Sequence, residues 1–197
     1  LRRVFVYPAM GDQGSGSAAF GLACPVENNR CTLTNLNWVV DGPALKERFG
    51  IGALALLNDL VAVGWGIGLL SEEDFSVLQA GIRKPGNAAL IAAGTGLGEA
   101  MLFWDGLKHL PSPSEGGHVE FGPRNELEIE LLRYLAGKYG HVSYERIVSG
   151  PGLENIYEFM AAKQGNEPQR LKARFMAEGI APVVSDEAMN GTDVNCR

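Results

Sequence analysis

The sequence predicts an α/β fold, and three observations predict it. Short apolar runs of strand length recur through the first half of the chain, Gly and Asx residues punctuate them at sharp turns, and the pattern becomes helical after Asn125. The 197 residues, 46% hydrophobic and 20% charged, suffice for a sizeable core and lie far from disordered composition.

The elements follow in order. Gly11 to Ser17 is polar and glycine-rich, and Ala18 to Ala23 (AAFGLA) reads as a strand buried on both faces, starting near Ser17. Asn28-Asn29 supplies turn chemistry, so Cys31 to Thr34 is expected to pair with that strand. Asp41-Gly42-Pro43 opens a helix with a cap and an early proline, and Gly50 closes it. Ala53 to Leu57 is a second buried strand. It gives way at Asn58-Asp59 to a helix with Leu60, Val63, Ile67 and Leu70 at helical spacing. Ser71 to Asp74 reads as a capping box. Ala88 to Ala93 is a third buried strand, Gly94-Thr95-Gly96 a sharp loop, and Glu99 to Trp104 a fourth strand. Asp105-Gly106 signals a tight hairpin returning along Leu107 to Leu110. Asn125 and Glu128 then cap a helix whose Leu131, Leu132 and Leu135 face the core and which stops at Gly140; two or three further helices fill Ser143 to Glu178.

Charge and cysteine usage exclude several functions. The net charge of −6 comes without a basic run, so no Lys/Arg stripe suits nucleic acid or anionic lipid. The most apolar stretch, Leu60 to Leu70, is about half the length a bilayer helix requires and is broken by three glycines. Cys24, Cys31 and Cys196 form no CxxC pair and have no histidine at metal-ligand spacing, which points to a reducing cytoplasm. The chain begins without Met and ends at Cys196-Arg197 with no terminating element, so a piece of a longer protein is expected.

Four segments carry chemistry. In Gly94-Thr95-Gly96-Leu97-Gly98, glycines allow positive φ and let backbone N–H groups converge on an anion, phosphate above all. The loop joins two strands and lacks both GxGxxG and GK[ST], which rules out a dinucleotide fingerprint and a P-loop; a plain glycine hairpin is its bland alternative. Asp59, beside Asn58, is a carboxylate at the carboxyl end of an apolar strand, where open α/β sheets place ligands; its bland alternative is a helix cap. Glu115-Gly116-Gly117-His118 has the Glu-x-x-His spacing of di-iron bundles, but two adjacent glycines disfavour the helix that reading needs by about 1 kcal/mol each. A loop offering one acceptor and one imidazole to a polar ligand fits better. Glu145, within Glu145 to Gly152 (ERIVSGPG), reads singly as a solvated charge.

Taken together, LTNLNW (Leu33 to Trp38), LLNDLVAV (Leu56 to Val63), AAGTGLG (Ala92 to Gly98), SEGGH (Ser114 to His118) and ERIVSGPG resemble, in this order, the bacterial hexokinase-like glucokinase family. The resemblance runs from about Ala18 to at least Tyr157. It implies an actin-like, RNase-H-type fold of two lobes, both incomplete in this chain, with residues 1–70 in the small lobe and 71–197 in the large one. It implies ATP-dependent phosphorylation of glucose at the 6-hydroxyl, the first step of glycolysis, with sugar and ATP sharing the cleft between the lobes. Asp59 matches the catalytic base; Asn58, Glu115, His118 and Glu145 match sugar-holding residues; Gly94, Thr95 and Gly96 match the second phosphate loop; and Asn35 matches an asparagine near the sugar. Mg²⁺ would arrive with ATP, and the resemblance leaves a homodimer open.

The departures from the family pattern are specific. The opening DxGGTN phosphate loop has no counterpart before Ala18, so the 197-residue chain alone is expected to be inactive. The related ROK proteins follow their Glu-x-Gly-His element with a cysteine-rich zinc motif, whereas no cysteine follows His118 before Cys196; no structural zinc is expected. The rival readings are a non-catalytic sugar-binding or assembly module and, more weakly, a nucleotide-dependent oxidoreductase suggested by GTGLG alone.

Overall fold

The computed structural model describes residues 16–33, 36–82, 84–165, 169–191 and 193–196; Asn35 and the start of the polar stretch, residues 11–15, lie outside the described residues. The elements run β1 (Ser17–Leu22), β2 (Arg30–Leu33), β3 (Trp38–Asp41), α1 (Gly42–Phe49), β4 (Ala53–Asn58), α2 (Asp59–Ile67), β5 (Ala88–Ala93), β6 (Leu97–Trp104), β7 (His109–Ser114), α3 (Glu126–Tyr139), α4 (Gly150–Gln164), α5 (Gln169–Glu178) and α6 (Ile180–Asn190). The expected α/β class is what the chain adopts. It divides into two compact units, Leu1–Leu90 with Ala100–Pro113, and Ile91–Glu99 with Ser114–Arg197.

In the first unit the strand pairing differs from the expectation. β1 lies parallel to β4, Ser17 opposite Ala53 and Leu22 opposite Asn58, while β2 pairs antiparallel with β3. The reason is local closure: β2 and β3 are joined by a few residues and form a hairpin at small entropic cost, leaving the two apolar runs to each other. Asn29 supports that arrangement. Its side-chain amide accepts from Leu56 N–H at 2.6 Å and donates to the Leu54 carbonyl at 3.0 Å, satisfying β4 backbone groups as a neighbouring strand would. Asn28 and Asn29 both have positive φ, which Asn tolerates better than most residues. Cys24 and Cys31, both buried, are joined by a disulfide, a pairing that spacing alone did not suggest.

α1 follows the sequence closely. Asp41 accepts from Ala44 N–H at 3.0 Å as N-cap, and Gly50 closes the helix in the left-handed region. The Ser71–Asp74 capping box is also present. α2 turns a different face inward: Val61 and Gly64 are buried, whereas Val63 is 51% exposed. Gly64 explains it, because a β-carbon there would press on Pro111 and Leu102 side chains at 2.9–3.0 Å; the close approach selects the glycine face. β1, expected to be covered on both sides, alternates exposed and half-buried positions, and β5 is exposed everywhere but Leu90. β5 is an edge of the three-stranded sheet, whose order is β5-β6-β7. The hairpin turn occupies Asp105 to Lys108 rather than two residues, with Asp105 Oδ1 accepting from the N–H groups of Leu107 and Lys108.

The second unit is held by two apolar clusters. Phe121, Leu131, Leu135, Val142 and Phe159 gather α3 and α4, and Tyr157, Leu171, Val183, Val184 and Cys196 gather α4, α5 and α6. Leu131 and Leu135 face inward as the helical spacing requires, and Asn125 caps α3 by accepting from Glu128 N–H. Burial pushes the Cys196 thiol up to about 11, keeping it protonated.

Candidate functional site

The first unit supplies Asn58 and Asp59, at the carboxyl end of β4. Asn58 Oδ1 accepts from Leu60 and Val61 N–H at 3.0 and 3.3 Å, so the cap of α2 is Asn58. The bland reading of Asp59 as the cap is thereby taken over by its neighbour. Asp59 Oδ1 accepts from Leu60 N–H at 2.9 Å, and Oδ2 takes part in no hydrogen bond among the described residues. Because the oxygen of Asn58 is engaged, its Nδ2 is the group left to donate. Gly21 lets β1 approach this corner, since a β-carbon there would lie 3.0 Å from Ala62 Cβ and 3.6 Å from Asp59 Cα.

The second unit brings together the residues of the other three segments. Gly94 N–H donates to the Gly96 carbonyl and Gly150 N–H to the Gly94 carbonyl, each at 2.8 Å, which pins the loop between β5 and β6 to the start of α4. Neither Gly94 nor Gly96 has positive φ, contrary to the expectation. Gly96 is required by crowding instead: a β-carbon would stand 2.5 Å from Glu145 Oε2. That same oxygen accepts from Leu97 N–H at 2.9 Å, so Glu145 is no freely solvated charge.

Glu115 precedes a single 3-10 turn, Gly116–His118, which settles the loop reading over the di-iron helix. Gly117 sits against the Leu97 carbonyl and Gly116 against the Glu99 carboxylate, with no room for a β-carbon at either. His118 stands between two carboxylates, Nε2 3.7 Å from Glu115 Oε2 and Nδ1 3.9 Å from Glu145 Oε1. The side chains of Glu115 and His118 are 74% and 60% exposed and that of Glu145 is 30% exposed, so the first two open to solvent and Glu145 is half-buried. Two acceptors flanking a ring that can donate and accept are suited to a hydroxyl-rich ligand.

Supporting residues that the sequence reading passed over hold the Glu145 turn, Tyr144–Arg146. Ser149 Oγ donates to the Glu145 carbonyl at 2.6 Å, and buried Asn155 donates to the Arg146 carbonyl at 2.8 Å. The signal for Ser149 was its place just before Gly-Pro-Gly, where its Oγ caps α4 by accepting from Gly152 N–H. Asn155 left no signal, being one polar residue in an ordinary helical stretch. Among the described residues, no group of three His, Cys, Asp or Glu side chains could hold a metal ion, and no helix is long and apolar enough to cross a membrane.

Fold and site define an α/β protein that sets a glycine-rich loop beside a carboxylate–imidazole cluster. The sequence profile of the glucokinase family matches residues 5–197, a wider span than the motifs alone covered. The chain is 47% identical to a glucokinase of Nostoc sp. over 146 residues, covering 73% of this chain and 43% of that protein. It is 40% identical to one of Synechocystis sp. over 196 residues, covering 90% and 54%. The chain belongs to the glucokinase family. A crystal structure of glucokinase from an Antarctic psychrotroph superposes with a TM-score of 0.73 at 29% identity, over 91% of this chain and 53% of that one. A Balamuthia mandrillaris glucokinase in complex with glucose shares the fold, with a TM-score of 0.70 at 21% identity, over 90% and 54%. The chain thus spans about half the length of the relatives it matches, 43% and 54% in the two named.

Proposed function

We propose that the chain supplies the catalytic base, the sugar contacts and one phosphate loop of an ATP-dependent glucokinase, which transfers the γ-phosphoryl group of ATP to the 6-hydroxyl of glucose and yields glucose 6-phosphate and ADP. The observation that carries the reading is the cluster of Glu115, His118 and Glu145 laid against the Gly94-Thr95-Gly96 loop, in a member of this family. The glucose in the Balamuthia mandrillaris complex is consistent with the sugar.

Phosphoryl transfer asks the protein mainly to position reactants and stabilise charge, while a carboxylate orients the attacking hydroxyl and takes its proton. Asp59 fills that role, its Oδ2 left open because Asn58 has become the helix cap. Glu115 and Glu145 accept from ring hydroxyls, His118 donates or accepts, and Asn58 Nδ2 donates. Asn35 is assigned near the sugar on the family pattern alone. The Gly94-Thr95-Gly96 loop faces the ATP phosphates with the backbone N–H groups of Thr95 and Gly96, that of Gly94 being bonded to the Gly96 carbonyl. Mg²⁺ would come with ATP, held by its phosphate oxygens, and would offset their negative charge. The actin-like two-lobe architecture, with residues 1–70 in the small lobe and 71–197 in the large one, belongs to the same proposal, as does a cytoplasmic setting. The Cys24–Cys31 disulfide is the observation that weighs against a strictly reducing one.

The test uses the full-length enzyme that contains this chain. Asp59→Asn should lower kcat by about 10²-fold or more while glucose affinity largely survives, because only a transition-state contribution is removed. Unchanged turnover removes Asp59 as the base, and a wild-type enzyme that binds glucose without phosphorylating it would favour the non-catalytic module. The isolated 197-residue chain, spanning about half its relatives, should show no glucose phosphorylation.

A further inference from the structure

Three segments far apart in sequence converge on one backbone position, Leu97. Its N–H donates to Glu145 Oε2 at 2.9 Å, its carbonyl lies against Gly117 of the Glu115–His118 loop, and it directly follows the Gly94-Thr95-Gly96 loop. The two oxygens of Glu145 are therefore divided. Oε2 is spent on the loop, and Oε1 points toward His118, 3.9 Å from Nδ1. The carboxylate is set from behind by Ser149 and Asn155, which hold the backbone carbonyls of Glu145 and Arg146.

We infer that Glu145 is a positioning residue for the nucleotide as well as a sugar contact: its Oε2 fixes the phosphate loop through Leu97, so that the state of the sugar site sets the order of the loop that receives ATP. The inference rests on the glucokinase reading. A carboxylate that anchors the loop with one oxygen and contacts sugar with the other links the two sites through a single rigid group. A ligand on Oε1 restrains the carboxylate, which restrains Leu97 and the loop preceding it, and the coupling is reciprocal. Gly96 belongs to this device, because any β-carbon there would displace Oε2 from Leu97.

The test measures the affinity of a non-hydrolysable ATP analogue by calorimetry, with and without glucose, in the full-length enzyme. Glu145→Asp keeps the charge but withdraws the carboxylate by one methylene, so the bond to Leu97 is lost. Sugar-free analogue binding should weaken about tenfold, the scale of one lost charge-assisted hydrogen bond. Glu145→Gln keeps the length and an acceptor and should hold sugar-free binding within about twofold of wild type. Both variants should weaken glucose. Glu115→Gln, which has no bond to the loop, should weaken glucose and leave sugar-free analogue binding unchanged. Sugar-free analogue affinity that is the same in the Asp variant as in wild type overturns the positioning role while the sugar site stands; glucose affinity unchanged in all three overturns the sugar reading itself. Thermal melts verify folding. Hydrogen exchange at the Leu97 amide of the wild type gives an arm without substitutions: protection is expected, and exchange as fast as at Thr95 would sink the inference.

Discussion

Asn155, 1% exposed within α4, donates its side-chain amide to the Arg146 carbonyl at 2.8 Å and accepts from the Tyr139 hydroxyl at 2.8 Å and the Lys138 ammonium at 3.2 Å. One buried side chain thus ties α3, α4 and the turn bearing Glu145 together. Asn155→Leu should cost about 1–3 kcal/mol of stability by leaving buried polar partners unsatisfied, and should weaken glucose binding as the turn loosens. Denaturant titration with calorimetry checks it; a variant as stable as wild type would show that these bonds are replaced by water.

The proposed sugar site at Glu115 and His118 predicts coupled losses. Glu115→Ala and His118→Ala should each raise the glucose dissociation constant, corresponding to about 1–3 kcal/mol, without lowering the melting temperature appreciably. In the double variant the losses should fall short of the sum, as for neighbours sharing one ligand. Small and strictly additive effects would return both residues to plain surface.

Glycine 117 and glycine 137 should respond in opposite directions to the same substitution. A β-carbon at Gly117 collides with the Leu97 carbonyl, so Gly117→Ala should destabilise by about 1–3 kcal/mol and disturb the loop. Gly137 lies within α3 with open space around it, and Gly137→Ala should stabilise by about 0.4–1 kcal/mol through reduced chain entropy. Thermal melts decide both, and equal shifts would contradict the packing described.

Acid should loosen α1 through Asp41. The hydrogen bond from Ala44 N–H, and then Arg30, holds the Asp41 carboxyl below its ordinary value of 3.8. Its folded pKa is depressed, so its contribution is present above about 3.8 and is lost as pH falls through the lower folded value. Asp41→Asn keeps a capping oxygen and should flatten that part of the acid profile, followed by helix signal against pH. An unchanged profile would assign the acid response to other carboxylates.

Much of the local architecture is written in the sequence because its causes are local. Asp41-Gly42-Pro43 and Gly50 bound α1, Ser71 and Asp74 close on each other, and Asn125 with Leu131 and Leu135 sets the start and inward face of α3. Caps, turn residues and helical spacing act within a few positions, so a linear reading reaches them. The candidate residues Asn58, Asp59, Glu115, His118 and Glu145 and the loop at Gly94 were nominated by four of the five ordered motifs, although no single motif sufficed. What only the tertiary structure decided involves partners distant in sequence. β1 paired with β4 while β2 formed a hairpin with the nearer β3, Cys24 met Cys31, and Val63 gave the inward face of α2 to Val61 and Gly64 because Pro111 packs there. Glu145, read singly as a solvated charge, became the anchor of Leu97, 48 residues away. Hydrogen bonds and close packing between such segments depend on where the folded chain brings them, and no propensity or spacing within either segment encodes the distance between them.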